Sequence, residues 1–281
     1  MHRPFRPINA VLLVTLLSAS AVAGGPWPRE AGHGYLQLAW QFIPAYSSIY
    51  GPSGSTYSLP GEATDRTLQA YGEYGLGGGW TARLTVPLRF VEIRATLPDA
   101  EYRSGSLSGI GNVGLAVSRG FRAGAVPVGA TLALDIPAPE NAADVATGLR
   151  TGFPTWTVAP SLGAGHGGTG WYAFGEAGLQ FRGDDYSQNW RLTGEAGWSP
   201  LRRLWLAAVV DVLQTLTEGA VPLPEQIAGF YLDNQQFIAM GLKAGIAVGE
   251  RWGVNLATFG AAGAEGVPKS PAHSAAIYVT W

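Results

Sequence analysis

The sequence contains no cysteine among its 281 residues, which excludes disulfide bonds, thiolate metal sites and a cysteine nucleophile. Charge is also scarce, because Asp, Glu, Lys and Arg together make up only 14% of the chain. The 18 basic groups do not gather in any segment, so the sequence lacks the positive surface that binds a nucleic-acid backbone. We therefore expect no nucleic-acid partner.

Long hydrophobic runs are missing from most of the chain. Beyond the first two dozen residues, the longest uninterrupted apolar stretch covers residues 204–210 and ends at Asp211. A transmembrane helix needs about 20 mostly apolar residues. The sequence therefore excludes helical membrane spans from this part of the chain.

The N-terminal part has a different character. A basic start precedes an apolar stretch at residues 10–17, and Ala21 and Ala23 form the small-residue pattern of a signal-peptidase site. The apolar stretch is too short for a membrane anchor. We predict a cleaved signal peptide over residues 1–23 and an exported mature chain over residues 24–281.

Residues that serve in catalytic or metal sites are sparse. The four histidines are far apart in the sequence, and only His273 has a hydroxyl residue beside it, Ser274. Adjacent residues of a strand point to opposite faces, so these two side chains are poorly placed to act as a pair. We therefore expect no enzymatic activity, no catalytic or metal-binding residue, and no cofactor.

What the chain has instead is a strict alternation of polar and apolar residues. In its first such segment, Leu36, Leu38 and Trp40 occupy one phase, whereas Gln37 and Gln41 occupy the other. A period of two is how a β-strand separates its two faces. The pattern recurs in about twelve segments, centred near Leu38, Tyr71, Leu84, Leu115, Leu132, Val158, Gly175, Thr193, Ala208, Met240, Leu256 and Tyr278.

The connections between these segments alternate in length. Short connections such as residues 77–79 and 165–170 alternate with long ones such as residues 44–65, 137–151 and 261–271. Up-and-down outer-membrane barrels have short periplasmic turns, longer external loops and an even number of strands. The sequence therefore predicts an all-β fold, a transmembrane antiparallel up-and-down β-barrel of about 12 strands. A soluble antiparallel sandwich is the alternative.

The phase of the charged residues favours the barrel over the sandwich. A lipid-facing surface must exclude charge, since Arg or Lys at the bilayer midplane costs about 2–4 kcal/mol. Ten charged residues within the strands all lie opposite the apolar phase, and we predict that they line the lumen. They are Glu73, Arg83, Arg89, Asp135, Glu176, Arg182, Arg191, Glu195, Asp211 and Lys243.

The C-terminal residues form a further pattern. Ile277, Val279 and Trp281 alternate with Tyr278, and the chain ends on an aromatic residue. The four resemble the C-terminal assembly signal of outer-membrane proteins, whose last residue is usually Phe or Trp. We predict that the barrel-assembly machinery recognises them. The expected location is the bacterial outer membrane, surrounded by its lipid and lipopolysaccharide.

Several segments resemble one family of outer-membrane barrels, the MetA-like family named after the phenol meta-cleavage pathway. The similar segments are residues 34–38 (GYLQL), 68–76 (LQAYGEYGL), 109–115 (GIGNVGL), 130–137 (ATLALDIP), 170–172 (GWY) and 175–176 (GE). Asn112 stands where the family usually has Asp, and Ala138 follows Pro137 where the family has Pro-Thr-Gly. The resemblance implies a channel or transporter for small solutes, among which hydrophobic and aromatic compounds are candidates.

The sequence leaves alternatives for the role of the inward charges and for the function of the barrel. The inward charges either select solutes in a narrow passage or fill the lumen as ion pairs. Both are possible because side chains fill eight-stranded barrels, 16-stranded barrels hold water channels, and twelve strands lie between the two. The function is then a channel for small solutes or, as the alternative, a non-transporting structural or surface-recognition barrel. Glycines within the strands are expected to leave space for a solute: Gly72, Gly75, Gly114, Gly129, Gly163, Gly178, Gly197, Gly241 and Gly245.

Overall fold

The computed structural model describes residues 25–95, 103–138, 144, 147–224 and 226–281. The predicted signal peptide, residues 1–23, lies outside these ranges. The regular secondary structure of the described residues is β-strand, apart from one 3-10 turn at Pro52–Gly54. No helix in the described ranges is long and apolar enough to cross a membrane.

The strands follow one another around a single sheet. They are β1 (Gly34–Tyr50), β2 (Thr56–Gly77), β3 (Trp80–Ala95), β4 (Gly105–Ile110), β5 (Val113–Ala123), β6 (Val126–Ile136), β7 (Thr157–Gly168), β8 (Trp171–Arg182), β9 (Gln188–Leu201), β10 (Leu204–Thr217), β11 (Gln236–Ala247), β12 (Trp252–Glu265) and β13 (Ala272–Thr280). Neighbours pair antiparallel, and β1 pairs with both β2 and β13, which closes the sheet into a barrel.

Thirteen strands occupy twelve positions in this ring. β4 and β5 both pair with β3, one after the other, with Ile110 opposite Leu88 and Gly114 opposite Thr85. Between them, the Asn112 side chain donates to Phe153 O (2.8 Å) and accepts from Phe153 N (2.7 Å), which ties this interruption to the β6–β7 loop. The prediction of an all-β, antiparallel up-and-down barrel of about 12 strands is confirmed.

The barrel wall is apolar outside and mostly polar inside. In β1, Leu36 and Leu38 are 48% and 47% exposed, whereas Gln37 is 2% exposed. This is the reverse of a soluble protein, and it follows from the period of two once the outer face meets hydrocarbon. A closed barrel also leaves no unpaired strand edge, which lipid would not tolerate.

The two ends of the barrel differ. We call the end with short connections the turn end; there Gly77, Gly78 and Gly79 all have positive φ (89°, 59° and 80°) and form the β2–β3 turn. We call the opposite end the loop end. There the prediction of a long loop over residues 44–65 is wrong. Residues 44–65 are mostly strand rather than loop, because Tyr46 and other inward apolar side chains continue the pairing of β1 with β2 beyond the polar part of the barrel.

Candidate functional site

The candidate site is the barrel interior, where the inward side chains of all strands meet. The structure places the ten charged residues singled out above on this inner face. Glu73, Glu195, Asp211 and Lys243 are buried, and Arg83, Arg89, Asp135, Glu176, Arg182 and Arg191 are partly buried. Several of these residues form ion pairs with one another. Their role in selecting solutes stays a prediction.

Arg191 on β9 and Asp211 on β10 form the central ion pair. Arg191 Nε donates to Asp211 Oδ1 over 2.8 Å, and Nη2 donates to Oδ2 over 2.6 Å. Thr193 adds a hydrogen bond from Oγ1 to Oδ1 over 3.3 Å. Two parallel bonds between a guanidinium and a carboxylate fix both position and orientation, so the Arg191 side chain is held in one place.

A second ion pair connects β9 and β11. Lys243 Nζ donates to Glu195 Oε2 over 2.7 Å, and Tyr172 OH donates to the other carboxylate oxygen over 2.5 Å. Glu195 is 5% exposed and Lys243 is 7% exposed. Two charges this deeply buried are tolerated because each one neutralises the other.

A third cluster surrounds Glu73 near the turn end. Arg29 Nε donates to Glu73 Oε2 over 2.6 Å, and Tyr71 OH donates to Oε1 over 2.5 Å. Arg83 lies 4.0 Å from the same carboxylate, measured from Nε to Oε1. Arg29 precedes the first strand, so this cluster joins the N-terminal segment to the barrel wall.

At the loop end, arginines lie on aromatic rings. Arg89 pairs with Asp65, and its guanidinium carbon is 4.9 Å from the ring centre of Tyr231. The guanidinium carbon of Arg182 is 4.2 Å from the ring centre of Phe153. Burial raises the pKa of Tyr231, a loop residue, to about 12, so its ring stays neutral at physiological pH.

Asp135 and Glu176 differ from the other inward acidic residues in their partners. Neither forms a salt bridge with any residue that the structure describes. Glu176 accepts a hydrogen bond from Ser161 Oγ over 2.8 Å. Both carboxylates line an interior cavity, so they face open space rather than a fixed basic partner.

Two cavities occupy the middle of the barrel. The smaller, of about 290 Å³, lies against β5 to β8, where inward residues such as Gly114, Ala133 and Gly178 leave room. The larger, of about 430 Å³, lies against β13, β1 and β2. Arg191 lines both cavities, so its guanidinium, which Asp211 holds in place, lies between them.

An N-terminal strap, residues 25–29, lies inside the turn end. The Trp27 ring meets Tyr172 and Phe174 edge-on, with ring centres 6.2 and 5.7 Å apart. On the other side of the barrel, Arg29 N donates to Thr81 Oγ1 over 2.8 Å and its side chain pairs with Glu73. The strap therefore crosses the interior from β2 and β3 to β8.

The strap fits because the strands beneath it carry glycine. A Cβ atom built on Gly129 would lie 3.0 Å from Pro26 Cα, and one built on Gly165 would lie 2.9 Å from the Trp27 ring. The expectation that glycines leave space for a solute is wrong at Gly129 for this reason, at Gly75, where a Cβ would overlap Glu30 O, and at Gly72, which pairs with Leu36 on the outer face. It is also wrong at Gly197, Gly241 and Gly245, over which the rings of Tyr172, Phe259 and Trp205 lie.

A loop cap fills the loop end of the barrel. It is an apolar cluster formed by the extended ends of β1 to β3 and by the β6–β7 and β10–β11 loops. Its buried members are Tyr46, Ile49, Leu59, Ala63, Val91, Ile93, Leu149, Ala228, Phe230 and Leu232. Tyr46 OH also donates to Ala228 O over 3.1 Å, which fixes one loop to the wall. The polar cavities therefore lie between an apolar cap and the N-terminal strap.

The C-terminal residues complete the closing seam of the barrel. Ile277, Val279 and Trp281 are exposed on the outer face, whereas Tyr278 is buried and stacks on Tyr35 with ring centres 5.6 Å apart. Gly34 N donates to Trp281 O over 3.1 Å, and Trp281 N donates to Gly34 O over 3.2 Å. Trp281 thus extends the β1–β13 pairing to the last residue.

The described histidines do not come together. His33 lies 3.0 Å from Trp281 O through Nδ1, His166 packs near Trp171, and His273 packs near Phe42. Among the described residues, no group of three or more His, Asp or Glu side chains is placed to hold a metal ion.

The similarity of this chain to known proteins lies in its structure. No family model matches the chain, and no curated protein matches it. The resemblance to the MetA-like family therefore stays a prediction. Among solved structures, the COG4313 outer membrane channel from Pseudomonas putida F1 matches with a TM-score of 0.72, at 15% identity, over 93% of this chain and 100% of that one.

A second solved structure is less similar. The translocator domain of autotransporter NalP from Neisseria meningitidis has a TM-score of 0.50, at 12% identity, over 90% of both chains. Identities this low show the fold alone. The chain shares its barrel fold with a solved outer-membrane channel.

Proposed function

We propose that this protein is a channel for small solutes in the bacterial outer membrane. The observation that carries the proposal is the pair of polar cavities inside a closed barrel with an apolar outer face, meeting at Arg191. Side chains fill eight-stranded barrels, whereas this barrel of twelve strand positions keeps polar space inside, as the passage of a solute requires. The cavity volumes of about 290 and 430 Å³ limit passage to small molecules.

The proposal includes an orientation. The signal peptide over residues 1–23 directs export, the turn end faces the periplasm and the loop end faces outward. Outer-membrane lipid and lipopolysaccharide surround the apolar band, and the barrel-assembly machinery recognises Ile277, Tyr278, Val279 and Trp281. The chemistry of the interior serves passage rather than catalysis, and the chain needs no cofactor.

Passage requires movement at both ends. The strap blocks the turn end through one aromatic contact region around Trp27 and one ionic contact through Arg29. The loop cap blocks the loop end through a larger apolar cluster. Loops and terminal segments move on timescales of nanoseconds to microseconds, whereas the paired strands are rigid. We therefore place the moving parts in the strap and the loops.

The alternative is a non-transporting structural or surface-recognition barrel. The closure of both ends and the pairing of most interior charges favour it. Planar-bilayer recordings of the purified folded protein separate the two functions, with heat-denatured protein as the control. The channel proposal expects step-like ion conductance. If neither the parent nor a variant that lacks residues 25–29 conducts, the structural barrel is the better account.

A further inference from the structure

We infer that the larger cavity is a binding site for a small neutral solute that carries hydroxyl, carbonyl or amide groups. The inference rests on the proposed channel function and names the class of solute. The cavity volume of about 430 Å³ falls within the range of small-molecule sites, roughly 300–1,000 Å³.

One wall of the larger cavity carries a set of free hydrogen-bonding groups. Gln41 on β1 lies directly opposite Ser274 on β13, and Gln69 on β2 lies opposite Ala39 on β1. All four line the cavity. Gln41, Gln69 and Ser274 form no side-chain hydrogen bond with any residue that the structure describes, while Ala39 keeps the space in front of them open. Each glutamine amide both donates and accepts.

The described residues that line this cavity carry no uncompensated charge. The charged groups on this cavity are Asp65, Arg89, Arg191 and Lys243. Asp65 and Arg89 pair with each other, Arg191 pairs with Asp211, and Lys243 pairs with Glu195. A paired ion attracts a second ion weakly, so the wall offers hydrogen bonds without favouring an anion or a cation.

The polar wall of this cavity disfavours an apolar hydrocarbon. Such a molecule would displace water from Gln41, Gln69 and Ser274 and leave their polar atoms without partners, which is unfavourable. Trp205 and Phe259 line the same cavity and offer apolar surface for the carbon skeleton of a polar solute. The combination of amides, a hydroxyl and aromatic rings suits a small polyhydroxylated or carbonyl compound.

The test uses a neutral pentose, xylose, and an apolar aromatic, toluene, as probes. Ion current through the parent is recorded in planar bilayers while each probe is added. We expect xylose to reduce the current saturably and toluene to have no saturable effect. Gln69→Leu should weaken xylose binding roughly 2- to 12-fold, the range of one lost neutral hydrogen bond.

Gln214→Leu is the matched control. Gln214 pairs with Trp190 in the outward phase of β9 and β10, so the same substitution leaves the cavity intact and the xylose affinity unchanged. Gln41→Leu replaces Gln69→Leu if the latter does not assemble into heat-modifiable barrels.

A second readout needs no ion flow. Trp205 lines the cavity, so xylose should change the tryptophan fluorescence of the detergent-solubilised barrel, and Trp205→Phe should remove that change. A fluorescence response without conductance would support the binding site and contradict the channel proposal. The inference is overturned if xylose affects neither current nor fluorescence, or if toluene binds saturably and Gln69→Leu strengthens its binding.

Discussion

Arg191 donates to both carboxylate oxygens of Asp211, over 2.8 and 2.6 Å, and lines both interior cavities. The pair holds a guanidinium at the boundary between the cavities. A solute or ion that passes from one cavity to the other therefore passes this group.

The first prediction concerns ion selectivity. Arg191→Ala leaves the Asp211 carboxylate without its ion pair, so the interior becomes more negative and the channel should favour cations more than the parent does. The reversal potential under a salt gradient measures this shift. Arg191→Ala/Asp211→Ala removes both charges and should return the reversal potential toward that of the parent. An Arg191→Ala channel with parental selectivity would show that Asp211 does not contact the passing ions.

The second prediction concerns the strap. A Cβ built on Gly129 would lie 3.5 Å from Pro26 Cβ, within the usual range for a disulfide, about 3.5–4.5 Å, and 3.0 Å from Pro26 Cα, so the strap must move by a few tenths of an ångström to accept the bridge. Because the parent has no cysteine, Pro26→Cys/Gly129→Cys introduces a single pair. Oxidation should lock the strap and lower the conductance, and a reductant should restore it. Equal conductance in both redox states, with the disulfide verified by mass, would mean that the strap does not control passage.

The third prediction concerns the outer face. Leu132 lies near the middle of β6 and is 52% exposed. Arg at this position should lower the free energy of unfolding in vesicles by about 2–4 kcal/mol, the cost of a basic residue near the bilayer midplane. Leu132→Met is the control and should change little. A Leu132→Arg barrel as stable in urea as the control would place this residue outside the hydrocarbon.

The fourth prediction concerns assembly. Deletion of Trp281 removes the two backbone hydrogen bonds that join it to Gly34 and shortens the closing seam. We expect less folded barrel in the outer membrane, measured by heat-modifiable migration on a gel. Trp198→Ser is the control, because Trp198 is also exposed on the outer face but lies within β9. Equal yields of both variants would argue against a C-terminal assembly signal.

The wall of the barrel could be predicted from sequence because the polarity of each face depends on the alternation of residues within one strand. Lipid and lumen require opposite polarity, and the strand period converts this requirement into alternation such as that of Leu36 and Gln37. The same alternation predicts that Arg191 and Asp211 lie on the inner face. It did not predict that these two would pair, since they lie on different strands and their meeting depends on register.

The strap could not be predicted, because its contacts also join residues that are far apart in the sequence. Arg29 and Glu73 are 44 positions apart in sequence, and Trp27 reaches Phe174 across the barrel. No local pattern marks such contacts. Gly129 indicates that something lies close to the inner wall. A glycine at an inward position leaves space for a solute, a ring or a chain segment, and only tertiary structure decides which of the three occupies it.

The central claim is that solutes pass through both cavities and across the Arg191–Asp211 boundary. The most direct measurement is the single-channel conductance of Arg191→Ala/Asp211→Ala beside the parent. Glu92→Ala/Arg94→Ala serves as the control, because it removes an ion pair (2.6 Å) whose arginine is exposed and whose two residues line neither interior cavity. The account predicts a higher conductance for the interior double variant and a parental value for the control. Equal conductance in all three would contradict passage across this boundary.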